Sequence, residues 1–386
     1  MNNFNYLYNK NPLDLSFPSF KNENWRYINL RDLKKELNKF ESIKEKYLTL
    51  NNQDIDVHIM INNEAIHLNK KLPNGISVSI IDPDKIDLID SNIKNKVGRI
   101  AKIDDYFVLE NTKAFNQLVF IEIDGQSDSI LNIDINLSKD ANLKNRYFIY
   151  SKEHSVSTLQ INFHNSCSFV NSVFEFCLED ESDINLTCLN NGKESVEVVN
   201  YWFEVNKKAN LNATFISLGS EKILKNDIRV DLVGKNAKAD IGGLYIPKPN
   251  SVVDYNLKIN HLSKKTLSNQ FFRGILEEYS RASFTGLVKI EKGCTGSKSQ
   301  QVNNNLLLSD KAHVKSDPQL EIYCDEVECS HGSTVGQFDD DIIFYLCSRG
   351  IPKKYAQRML LEAFYIDILN RINVPKIQSI VETNLA

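Results

Sequence analysis

Hydrophobic and polar residues follow three successive patterns along this chain, and each predicts a different kind of element. Over residues 1 to about 116 the pattern is mixed. Asp32 to Tyr47 places Leu33, Leu37, Phe40, Ile43 and Tyr47 three or four residues apart, with lysine and glutamate between them. That is the spacing of an amphipathic helix. Phe107, Leu109, Ala114, Phe115 and Leu118 predict another short helix that closes this region. From about 117 to 335 the period falls to two. Residues 130–137, 159–164, 173–178 and 184–188 alternate in this way. Successive strand side chains point to opposite faces, so each run predicts a strand with one face buried. Short turns of Asn, Asp, Lys, Ser and Gly separate the runs, with no long helical pattern between them. The middle of the chain reads as all-β.

A weak repeat runs through that middle region. After a polar turn, a small or apolar residue, any residue and an apolar residue recur at Ala141-Asn142-Leu143, Ile184-Asn185-Leu186, Ala209-Asn210-Leu211, Ala237-Lys238-Ala239, Ala282-Ser283-Phe284 and Ala312-His313-Val314. The intervals are 43, 25, 28, 45 and 30, one or two steps of about 22 to 30 residues. A period in that range points to a solenoid whose coils bury their inner faces against one another. Units made of strands and turns favour a parallel β-helix, with an ordinary β-sandwich as the alternative.

From Gly336 the pattern becomes helical. Asp339-Asp340-Asp341 precedes Ile342 to Leu346, and Ser348-Arg349-Gly350 follows. Acidic residues at the start and glycine past the end are helix boundary signals. Pro352 then sits where a first-turn proline is tolerated. Ala356, Met359, Leu360, Ala363, Phe364, Ile368 and Ile372 form the apolar stripe of a second helix. The expected division is an N-terminal mixed or helical domain, 1–116, a parallel β-helix core, 117–335, and a C-terminal helical domain, 336–386, closing in a helical hairpin.

Composition narrows the class. A 42% hydrophobic and 25% charged chain of 386 residues is ordinary globular protein, and its net charge of −4 gives no reason to expect nucleic acid or anionic membrane as a partner. No stretch approaches the ~20 apolar residues of a spanning helix. The start, Met1-Asn2-Asn3-Phe4-Asn5, has no basic segment followed by an apolar core, so no secretory peptide is expected. Seven cysteines without a regular framework read as free thiols in a reducing, cytoplasmic compartment, each by default a small buried hydrophobe.

Two motifs reduce to structure. Gly293-Cys294-Thr295-Gly296-Ser297-Lys298-Ser299 is not a phosphate loop, because a serine displaces the lysine and position 291 is glutamate. Any ATP chemistry would have to come from a partner. Asp339 to Asp341 reads as helix capping rather than a metal or acid–base cluster. The stretch with most chemistry is 321–336. If residues 327 to 331 are extended, Cys329 and His331 share one face with Cα atoms about 6.6 Å apart, while a regular strand would put Cys324 on the other face. Cys-x-His is half of a thiolate and imidazole site, without third and fourth ligands locally. A purely structural role for both residues is the competing reading.

These residues resemble the SufB/SufD family of iron–sulfur cluster assembly proteins. The resemblance rests on Ser316-Asp317-Pro318-Gln319-Leu320-Glu321-Ile322, on the run from Asp325 through Cys329-Ser330-His331-Gly332 to Gly336, and on Phe344 to Ile351 with Ala356 and Leu360-Leu361. Phe284-Thr285-Gly286, Asn305 to Ser309 and Lys311-Ala312 match as well, and Asn24-Trp25-Arg26-Tyr27 is similar to the family's short N-terminal motif. The likeness is dense over about 260 to 370, thin from 117 to 260 and sparse before that. Cys-Ser-His-Gly looks like the SufD branch; SufB-type chains typically carry a Glu-His-Glu-Ala-like run there.

The resemblance implies a right-handed parallel β-helix between helical terminal regions. It also implies a complex with SufB and two copies of the ATPase SufC, or a homodimer when the chain is isolated. His331, with Cys329 second, would contribute to a nascent cluster at the SufB–SufD interface. The C-terminal helices, with Tyr345, Arg349 and Gly350, would dock SufC. The chain itself would be a non-catalytic subunit, sharing a transient iron–sulfur cluster and holding no cofactor of its own. The competing readings are a SufB-type scaffold that binds a cluster itself and a β-helix polysaccharide-modifying enzyme.

Overall fold

The computed structural model describes residues 15–40, 48–52, 57–63, 65–88, 96–138, 140–372 and 374–385. Its centre is a parallel β-solenoid of eight coils, and each coil gives one strand to each of two sheets. The solenoid strands are numbered along the chain. One sheet holds β1 (Leu118–Ile123), β3 (Arg146–Ser151), β5 (Phe169–Leu178), β7 (Val196–Val205), β9 (Ile223–Leu232), β11 (Val252–His261), β13 (Arg281–Ile290) and β15 (His313–Ile322). The other holds β2 (Gln126–Ile135), β4 (Val156–Phe163), β6 (Asp183–Asn190), β8 (Asn210–Ser217), β10 (Lys238–Tyr245), β12 (Leu267–Leu276), β14 (Lys298–Leu307) and β16 (Glu328–Gly336). The strands expected from period-two runs all fall among these.

Register shows what set the weak repeat. Asp183 pairs with Asn210, 27 residues on, and Arg281 pairs with His313, 32 residues on, so the coils lengthen toward the C-terminus. The expected steps of 22 to 30 residues need correcting. Intervals of 43 and 45 cross from one sheet to the other and add a partial coil to a whole one. Ala141 begins the Asn142–Leu143 bridge to β5, whereas Ile184 lies in β6 of the other sheet. One corner of five successive coils holds a left-handed residue, at His154, Glu181, Lys208, Asn236 and Lys265. Each donates its N–H to the carbonyl of the next coil, as from Glu181 to Lys207 at 2.9 Å. That bond offsets the cost of positive φ for a residue with a Cβ.

Inside, side chains stack coil on coil. Tyr147 lies 4.0 Å from Phe174, which lies 5.1 Å from Tyr201 (ring centroids). The half-buried expectation fails for β5, which is buried at all ten positions. Its outer face is covered by the segment 96–114, including α2 (Tyr106–Ala114), so Val173 and Cys177 pack there with Val97 and Val108. Upstream, α1 spans Leu30–Leu37. The longer helix expected to Tyr47 stops here at residue 37, and 41–47 lie outside the described residues. Short strands before the solenoid extend both sheets: Ile59–Ile61 joins β2 and Ile76–Ile81 joins β1.

At the far end, α3 (Asp340–Ser348), α4 (Lys353–Leu369) and α5 (Pro375–Leu385) make three helices rather than the expected hairpin. Ile368, Leu369, Ile377 and Val381 pack on Leu189, Ile216, Leu244 and Ile275, which point out of the even-numbered sheet. The predicted α4 stripe divides: Ala356 and Ile368 are buried, but Met359 is 48% exposed and Ala363 is exposed too. Only the second half of the helix lies against the sheet. Pro352 is the residue before the helix, not within its first turn. No helix among the described residues is long and apolar enough to cross a membrane.

Candidate functional site

The solenoid ends on two edge strands. β15 pairs only with β13 and β16 only with β14, so the last coil has a free edge in each sheet among the described residues. Pro318 in β15 fits that position, because proline cannot donate to a ladder and is confined to edges. β16 pairs Cys329 with Ser299 and His331 with Gln301. Ser299 and Gln301 are buried and face the solenoid interior, whereas Lys298 and Gln300 are exposed. Cys329, His331 and Ser333 therefore continue the interior column, but on a coil that has no further coil over it among the described residues. His331 is exposed for that reason.

Local chemistry separates the two residues. Cys329 packs on a small apolar cluster of Val288, Ile290 and Cys294. That burial pushes its thiol up, against a smaller opposing effect of a backbone hydrogen bond with Ser299. The thiol stays protonated at neutral pH unless a metal or cation displaces the proton. Gly332 and Gly336 have no atoms near where a side chain would stand, so the strand beyond His331 is open to an incoming chain. Across the interior, Ser333 Oγ of β16 donates to Ser316 Oγ of β15 at 2.7 Å, which in turn donates to Asn303 Oδ1 at 2.7 Å. Hydroxyl and amide groups thus tie the two edge strands together across the interior.

One thiol lies where strand reasoning did not put it. β15 stops at Ile322 and β16 starts at Glu328, so Cys324 sits in the turn between them rather than on the opposite face of a continuous strand. It packs against the same cluster as Cys294 and Cys329. The sequence signal was available in Asp325-Glu326, which breaks the alternation. Among the described residues no group of three or more His, Cys, Asp or Glu side chains is close enough to hold a metal ion. All seven cysteines are free; Cys177, Cys188 and Cys294 are buried and the other four are half-buried.

The remaining site residues lie on α3 and just past it. Asp339 caps the helix, its carboxylate accepting from the N–H groups of Asp341 and Ile342, as the capping reading expects. Tyr345 is 56% exposed and the Arg349 guanidinium lies 5.2 Å from its ring centroid. Gly350 has φ +89° and ends the helix, its N–H bonded to Cys347 O. Phe344, Tyr355 and Met359 join Tyr345 as exposed apolar side chains of α3 and α4, the helices taken together as one candidate patch. The structure does not bring this patch together with Cys329 and His331; they belong to separate elements.

The N-terminal motif also finds its place. Trp25 is buried, donates to Asp105 Oδ2 at 2.7 Å and lies under the Lys225 ammonium at 4.8 Å. Tyr27 and Arg26 reach Asp317 of β15 at 3.4 and 4.0 Å. Residues near the start of the chain thus brace the strand beside the open end.

The fold and this coil define a class: a parallel β-solenoid whose last described coil exposes the His331 imidazole beside the half-buried Cys329 thiol. Comparison with known proteins gives that class a family. The family description "SUF system FeS cluster assembly, SufBD core domain" matches residues 135–364, so the chain belongs to the SufBD family. It is 39% identical over 146 residues to the iron–sulfur cluster assembly protein SufD of Escherichia coli, covering 38% of this chain and 34% of that one. Identity to the SufD of Bacillus subtilis is 24% over 242 residues, 61% of this chain and 55% of the relative. A SufBD family protein of Synechocystis is 33% identical over 165 residues, 42% of this chain and 36% of the relative. The aligned parts thus span about a third to a half of these relatives.

Proposed function

We propose that this chain is the SufD-like subunit of an iron–sulfur cluster assembly complex, pairing with SufB and with the ATPase SufC. Its task in that complex is to supply ligands to a nascent cluster at the SufB–SufD interface. The cluster is cargo: iron and sulfide pass through the site, and the chain keeps no cofactor of its own and carries no catalytic residue. The domain division at 116 and 335 follows the same reading, with the solenoid as a rigid arm between two helical regions.

The observation that carries this proposal is the place of the Cys-x-His pair. Both residues lie in an interior-facing column on an edge strand paired on one side only, with the imidazole exposed. A strand edge adds readily to the edge of another sheet. Such a junction would bring the partner's ligands opposite His331 and Cys329. An imidazole can donate its nitrogen lone pair near neutral pH without losing a strongly held proton. A thiol held in its protonated form binds less readily until the metal arrives, so His331 is the first ligand and Cys329 the second. An incomplete ligand set shared between chains suits a cluster that must be handed on.

SufC docking belongs to the exposed patch of α3 and α4, with Tyr345, Arg349 and Gly350 at its centre. ATP-driven movement of those helices requires that SufC bind two states of the assembly with different affinity. The test is reconstitution of the complex with His331→Ala. The variant should fold, assemble with SufB and SufC and hydrolyse ATP, yet yield no cluster by visible absorption. A normal cluster yield would overturn the ligand assignment.

A further inference from the structure

On the odd-numbered sheet, β13 opens with Arg281-Ala282-Ser283 and β15 with His313-Val314-Lys315. Ala282 and Val314 turn inward to the core, so the alternate residues face out. The strands pair Arg281 with His313 and Ser283 with Lys315. Neighbouring strands lie about 4.8 Å apart and alternate residues about 6.6 Å, so the three basic side chains start within one small quadrilateral. All three are exposed, and none has a side-chain hydrogen bond or ion pair among the described residues.

The same columns are neutral or apolar one coil earlier. Lys225 pairs with Asp254 at 2.7 Å in the column that leads to Lys315. Ile223 and Val252 occupy the column that leads to Arg281 and His313. The segment from Arg26 to Glu36 stands over this face and closes it into a cleft of about 770 Å³, with Tyr279 at its mouth. Of the acidic groups on the wall, Glu36 is engaged by Lys39 and Lys222 at 2.6 and 3.3 Å, and Asp32 accepts from the Asn29 amide at 2.6 Å. Neither is spent on Arg281, His313 or Lys315.

We propose that this cleft binds a small organic phosphate, with the phosphate on Arg281, His313 and Lys315 and the organic body on Ile223 and Val252. The volume lies within the range of small-molecule sites, about 300–1,000 Å³. A guanidinium beside an ammonium matches the several oxygens of a phosphate, and the imidazole adds a further hydrogen-bonding group. The apolar floor favours a ligand with an organic part over a bare anion. The cleft lies on the outer face of the odd-numbered sheet, while Cys329 and His331 are on the interior column of the other, so this site does not depend on their role.

The experiment is calorimetric titration of the full chain at low ionic strength without magnesium, using ADP, inorganic pyrophosphate and adenosine as probes. ADP should bind saturably at one site, pyrophosphate at least tenfold more weakly, and adenosine not measurably. R281Q/K315Q should weaken ADP binding at least tenfold, while K238Q on the other sheet leaves it unchanged. The melting temperature of the ligand-free R281Q/K315Q chain should not fall, which separates a lost site from a lost fold. Absence of saturable ADP binding, or full binding by R281Q/K315Q, would refute the site. Equal affinity for pyrophosphate and ADP would overturn the organic-phosphate assignment.

Discussion

His331 and Gln301 are register partners on adjacent strands, yet one is exposed and the other wholly buried. The difference is one missing coil. Glu221 shows the opposite case, a carboxyl enclosed where the stack is complete. Burial, and next the neighbouring Glu197, pushes Glu221 up to about 8, although its Oε1 accepts from Gly192 N–H at 2.6 Å. Its unfolded reference is 4.5. Between those values the unfolded chain releases a proton that the folded chain keeps. The stabilisation is therefore complete below about pH 4.5 and is lost as pH rises to about 8. Glu221→Gln should flatten this fall, measured as denaturant midpoints from pH 5 to 9 (about four units). Some slope will remain, because burial raises Glu197 as well. An unchanged profile would show that Glu221 ionises freely in the fold.

At the scale of elements, the C-terminal helices cover the even-numbered sheet with one face and leave the proposed SufC-docking face exposed. Ile368, Leu369, Ile377 and Val381 cover the even-numbered sheet, so deleting residues 336–386 would strip Leu189, Ile216 and Leu244 as well as any docking surface. The sharper probe leaves the packing intact. Phe344 is 74% exposed, and Phe344→Asp with Tyr345→Ala should abolish SufC binding in pull-down while shifting the melting temperature by no more than a degree or two (surface changes are worth about 0.5 kcal/mol). Retained binding would move the docking site elsewhere. Much at this scale was legible in the sequence. The Asp339 cap, the Gly350 stop and every period-two strand follow from local rules. The division of α4 into covered and uncovered halves was not, because periodicity marks an apolar face without saying which neighbour reaches it. Cys324 was misplaced for a similar reason: alternation cannot show where a strand ends in a turn.

In the whole molecule, a buried ion pair of the solenoid anchors the N-terminal segment through hydrogen bonds. Arg146 and Glu175 are fully buried and bonded at 2.7 Å. Glu175 also accepts from the N–H groups of Gly98 and Ala101 at 3.0 Å, and Arg146 donates to Thr112 Oγ1 at 2.8 Å. Arg146→Met leaves that carboxylate buried without its cation and should cost about 3–5 kcal/mol. Hydrogen exchange should then show residues 96–114 opening before the coils. If the midpoint hardly moves, the latch is not what holds the two parts together.

The sequence by itself determined an all-β middle region and favoured a solenoid over a β-sandwich, since a period of two, a weak coil-length repeat and turns without helices leave few ways to bury the apolar face. It also named Cys329 and His331, because their spacing puts them on one side of any strand. Only the tertiary structure decided that this side is the interior column, that no coil lies over it, and that Arg26 and Tyr27 reach Asp317 beside it. Local pattern fixes which residues share a face; which face stays open depends on where the stack stops, a property of contacts between residues far apart in the chain.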